Sequence, residues 1–124
     1  MSLSVLKAYW KLICFDARIS GGNFSTLYEK VRSCRHTNRT SDPAAIDSVC
    51  SAVDMACIWY WKEVHCLQRS AATACLLREH GVSAQMVIGS QHRPLKAHAW
   101  VEVEGRVVND KPYMAEIYSV LDRC

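Results

Sequence analysis

The stretch Cys66-Leu67-Gln68-Arg69-Ser70-Ala71-Ala72-Thr73-Ala74-Cys75-Leu76-Leu77-Arg78-Glu79-His80 decides the architecture. No proline or glycine interrupts it, and the small residues from Ser70 to Cys75 let other elements approach a helix closely from several sides. Gly81 supplies the left-handed residue that closes such a helix. The run therefore reads as a central, buried helix with Cys66 at its start. Unpaired backbone N–H groups and the helix dipole favour a thiolate there, which makes Cys66 the candidate nucleophile.

Upstream, Leu3, Leu6, Trp10 and Ile13 recur at helical spacing, and Gly21-Gly22 ends that segment. A short helix is expected from Phe24 to Arg32, then a polar loop from Arg35 to Ser41. Asp42 before Pro43 starts a third helix, because the Asp side chain caps and Pro at the first helical position loses no hydrogen bond. Ile46, Val49, Ala52, Val53, Ala56, Cys57 and Tyr60 form its apolar stripe, and it is expected to stop near Val64. Downstream, Val82–Ile88, Ala97–Val103 and Arg106–Asn109 are short β-branched-rich runs that read as a small antiparallel sheet. The prediction is an α+β fold: N-terminal helices and a central nucleophile-bearing helix packed on that sheet. At 124 residues it is read as one domain, helical over 1–64, with the catalytic helix and sheet over 65–124.

Composition narrows the function classes. Half the residues are apolar, enough for a packed core, and the formal net charge is only +3. No Lys/Arg run interleaves with aromatics, so nucleic acid is not an expected partner. Lys7, Lys11 and Asp16 break up the apolar N-terminus, which fits neither a secretory signal nor a membrane span. The seven cysteines are odd in number and irregularly spaced, so buried reduced thiols in a reducing cytosol are expected. Zinc-type ligand pairs are absent from the sequence, and neither a metal nor a cofactor is expected.

His98, in the strand His98-Ala99-Trp100-Val101-Glu102, and Asp110, at the end of the next, complete the candidate chemistry. A carboxylate that orients an imidazole lets it take a proton from a thiol, provided the two side chains share a face. Hairpin register decides this. A two-residue Glu104-Gly105 loop would pair Val103 with Arg106 and put His98 and Asp110 on opposite faces. A three-residue Val103-Glu104-Gly105 loop, with Gly105 left-handed, would pair Glu102 with Arg106 and set His98 opposite Asp110. The three-residue loop is the expectation. Asn109 is the rival orienting residue, and alternation points it away from His98.

The residues Cys66-Leu67-x-Arg69-Ser70-x-Ala72, Leu76-Leu77-Arg78-x-x-Gly81-Val82-x-Ala84, Val87-Ile88-Gly89 and Ala97-His98-Ala99-Trp100-Val101-Glu102, with Gly105 and Asp110, resemble the lasso-peptide leader peptidases. These belong to the transglutaminase-like, papain-related cysteine enzymes. Gln68 stands where that family often has Pro, and Leu95 where it often has an aromatic. The resemblance implies Cys66 as nucleophile, His98 as general base and then acid, and Asp110 as the orienting carboxylate. It implies hydrolysis of the leader–core bond of a precursor peptide, a leader-recognition domain either fused ahead of the protease or separate, and a lasso cyclase that acts on the released core. Because the segment before Cys66 reads as helical rather than strand-rich, the recognition protein is expected in trans. Arg69, Trp100, Trp59 and Trp61 are the candidate substrate-binding residues. For Arg69 a thiolate-steadying charge and a simple ion pair remain open, and for Trp59 and Trp61 so does core packing. Two other functions compete: another acyl transfer on the same triad, such as transglutaminase-type amine acylation, and a non-catalytic peptide-binding module.

Overall fold

A computed structural model describes residues 3–20, 24–34, 42–92 and 95–124. The helices are α1 (Leu3–Ser20), α2 (Phe24–Ser33), α3 (Pro43–Trp59), α4 (Cys66–Glu79) and the short α5 (Met114–Ile117). The strands β1 (Ala84–His92), β2 (Leu95–Val103), β3 (Arg106–Val107) and β4 (Ser119–Arg123) form one antiparallel sheet in the order β3-β2-β1-β4. The fold is α+β, with helices leading and the sheet following, as the pattern of the sequence requires. None of the described helices is long and apolar enough to cross a membrane.

Helix α4 is the hub. From Gln68 to Arg78 every residue except Arg69 is buried, and α1, α3 and the sheet all pack against it. Its small residues make that possible, because each bulky side chain there would push one neighbour away. Gly81, at φ 82°, ends it, and the Val82 N–H returns to the Leu77 carbonyl at 2.9 Å.

Helix α1 buries Val5, Ala8, Leu12 and Phe15, whereas Leu6, Trp10 and Ile13, part of the stripe that announces it, are exposed. The two stripes lie on roughly opposite sides of a 3.6-residue turn, and the one with the smaller residues packs more closely. The glycine pair 21–22 and the loop 35–41 lie outside the described residues. Helix α3 begins as expected, with the Asp42 carboxylate accepting the Ala44 N–H at 3.1 Å and Pro43 next. It stops at Trp59 rather than near Val64. Tyr60 turns extended and donates its hydroxyl to Asp16 at 2.8 Å, and Lys62 reaches the same carboxylate at 2.9 Å. That tie to α1 draws the chain off the helical path.

Two further expectations are corrected. Cys34 and Cys75 are joined as a disulfide, with their Cα atoms 5.5 Å apart, so not all cysteines are reduced, and two of them no longer support a reducing compartment. Cys14, Cys50, Cys57, Cys66 and Cys124 are free. The hairpin takes the two-residue loop: Val103 pairs with Arg106 and Glu102 with Val107, while Glu104 and Gly105 both have positive φ, 52° and 77°. Two consecutive positive φ values make this a primed turn, whose twist matches that of the flanking strands.

Candidate active site

Cys66 is the first residue of α4, after His65, whose side chain makes no capping hydrogen bond. The terminal N–H groups are therefore not capped by that side chain. The half-buried thiol lines a cleft of about 220 Å³ together with Leu67, Ile88, Ala97, His98 and Ala99. Its walls are almost wholly apolar.

The His98 Nε2–H donates to Asp110 Oδ2 at 2.7 Å, although the observed register puts the two residues out of phase. The strand-parity rule does not extend this far, because β3 ends at Val107 and the chain bends through 108–110. An ionised carboxylate only accepts, so the pair assigns a proton to Nε2, and in the neutral ring the lone pair is then on Nδ1. Burial works against charge on Asp110. The hydrogen bonds from His98 and the Lys111 N–H outweigh it, with the nearby charges of His98 and Arg69, and hold the carboxyl below its ordinary range. Among the described contacts, no hydrogen bond joins the Cys66 sulfur to His98.

Behind the imidazole stands an aromatic wall. Tyr118 stacks on His98 with ring centroids 5.4 Å apart, and Trp100 lies 6.2 Å away. Gly89, opposite His98 in the ladder, makes this possible: a Cβ there would fall 2.7 Å from the Trp100 ring and 2.8 Å from Tyr118 Cβ. No local signal in the sequence marks Tyr118 as part of this wall. A glycine inside a strand is a sign of close approach, but it does not say by what.

The candidate substrate-binding residues have different fates. Trp100 is fully buried, its indole N–H held by Glu102 at 2.9 Å, so as placed it supports the ring rather than meeting a ligand. Trp59 and Trp61 are exposed but do not line the cleft. Arg69 donates to Asp54 Oδ1 at 2.8 Å and to the Asn109 carbonyl at 3.0 Å. Gln68 is buried and donates to the Leu12 carbonyl at 2.7 Å, linking α4 to α1. Asn109 faces away from His98: its side chain accepts the Val101 N–H at 2.7 Å and donates to Ser70 Oγ at 3.2 Å. No group of three or more His, Cys, Asp or Glu side chains able to hold a metal occurs among the described residues.

The chain is similar to the microcin J25-processing protein McjB of Escherichia coli, at 41% identity over 56 residues. That stretch is 45% of this chain and 27% of McjB, so the match spans about a quarter of the relative's length. No solved structure matches. The family profile matches residues 11–123, from α1 through the end of the sheet, and thus takes in the cysteine-led central helix and the paired histidine and aspartate alike: the chain belongs to the transglutaminase-like superfamily.

Proposed function

We propose that this chain is a cysteine peptidase that removes the leader from a lasso-peptide precursor. The observation that carries the proposal is the His98–Asp110 pair on a cleft that also contains the thiol of Cys66 at a helix start. The likeness to a microcin J25-processing protein supports the substrate class.

In this mechanism His98 Nδ1 takes the Cys66 proton and the thiolate attacks the last leader carbonyl. The tetrahedral intermediate collapses as the imidazolium donates its proton to the leaving amine of the core, and a thioester to the leader remains. Water, deprotonated by the same nitrogen, then attacks the thioester, and the leader acid leaves while the thiol is restored. Asp110 keeps the Nε2–H tautomer throughout and stabilises the imidazolium. The Cys66 backbone N–H is one oxyanion donor. The resting thiol and imidazole close to hydrogen-bond range as substrate fills the cleft, since such contacts commonly tighten on binding. Apolar walls at Leu67, Ile88, Ala97 and Ala99 favour uncharged residues beside the cut. A leader-recognition protein presents the precursor, and a lasso cyclase consumes the core.

The test is mass spectrometry of a precursor peptide incubated with the chain and the recognition protein. Cleaved leader is expected from the wild type and none from Cys66→Ala. An amine-linked product without cleavage would favour the transglutaminase-type transfer. Iodoacetamide that labels Cys66 no faster than the other free thiols, with no product, would favour a binding module.

A further inference from the structure

Asp110 reaches His98 in spite of the hairpin register, so contacts outside the ladder must turn it. The last regular bond runs from the Val108 N–H to the Val101 carbonyl at 3.0 Å. The Val101 N–H, which continued pairing would give to the Val108 carbonyl, donates instead to the Asn109 side chain at 2.7 Å. Ser70 Oγ on α4 secures that side chain, accepting from it at 3.2 Å while donating to the Ala99 carbonyl at 3.0 Å. With its side chain in the ladder, Asn109 turns its carbonyl outward onto Arg69, one turn beyond Cys66 on α4. The same guanidinium nitrogen holds Asp54 on α3.

We propose that Arg69 is a positioning residue: anchored to Asp54, it grips the Asn109 carbonyl and so fixes the bend that aims Asp110 at His98. Resting on the peptidase reading above, the proposal ties the carboxylate to the very helix that presents the nucleophile. Both side chains of the ion pair, 35% and 55% exposed, are too wet for the pair to contribute much to stability, so its value is geometric. Arg69 also acts on Asp110 through its charge, which helps keep the carboxyl ionised.

The test compares Arg69→Met and Arg69→Lys in the full chain. In the resting protein, the Asp110 carboxyl titration followed by carbon NMR should move to higher pH in Arg69→Met and return toward wild type in Arg69→Lys. In turnover, Arg69→Met should lose about 10- to 100-fold in kcat with KM within about twofold, the acid limb of kcat/KM moving to higher pH. A raised KM with unchanged kcat would overturn the proposal in favour of substrate binding. An unmoved Asp110 titration would overturn it whatever the activity. A wild-type chain that cleaves nothing would refute the peptidase reading, and the titration would still decide the role of Arg69.

Discussion

Replacing Gly89 by Ala tests whether the aromatic wall holds the imidazole. The new Cβ would sit 2.7 and 2.9 Å from Cη2 and Cζ3 of Trp100 and 2.8 Å from Tyr118 Cβ, against 3.4–4 Å for ordinary contact. Trp100 is fully buried with its N–H tied to Glu102, and a Cβ moves only with its backbone, so neither neighbour can yield by a side-chain flip. Overpacking of this kind costs about 1–3 kcal/mol. At about 4 °C per kcal/mol for a chain of this size, Tm should fall by about 4–12 °C. The displaced rings carry the imidazole with them, so kcat for precursor cleavage should fall more than KM rises. Differential scanning calorimetry of Gly89→Ala, alone and combined with Trp100→Phe, gives the coupling. The smaller ring removes the two Trp contacts, and the glycine substitution should then cost less. An unchanged Tm, or an identical cost in both backgrounds, would refute the packing account.

Two other outcomes follow from the site and the core. Asp110 titrates below its unfolded value of about 3.9, so it adds stability that is complete above that pH and lost as pH falls through its folded midpoint. The unfolding free-energy gap between wild type and Asp110→Asn in urea should therefore shrink on going from about pH 6 to pH 3, and a constant gap would contradict the His98–Asp110 bond. The Cys34–Cys75 bond closes a sequence separation of 41 residues, and in the chain-entropy model such a link is worth about 3–4 kcal/mol. Reductant should lower the urea midpoint accordingly. Recovery of both cysteines alkylated without reductant would show that they are not joined.

Much of the molecule was legible because it depends on neighbours a few residues apart. The Asp42-Pro43 start, the buried stripe of α3, the small-residue helix from Cys66 and the glycine at 81 are local signals, and each lies where it was expected. Strand β4 was passed over because most of this edge strand is exposed and carries no apolar alternation. The buried face of α1 was missed for a related reason: the Leu6, Trp10 and Ile13 stripe and the Val5, Ala8, Leu12 and Phe15 stripe both obey the helical period, and only the packing partner chooses between them.

The register of the hairpin shows where sequence reasoning reaches its limit. His98 and Asp110 were identified as a pair through a three-residue loop that does not form, and they meet all the same. Local signals placed Cys66 at a helix start and made His98 and Asp110 its candidate partners. Only the tertiary structure decided how the carboxylate is aimed, what stacks behind the ring and which cysteines join. Each of these rests on contacts between segments far apart in the chain, Arg69 with Asn109, His98 with Tyr118, Cys34 with Cys75, and a periodicity of two or 3.6 residues carries no information about partners at such separations.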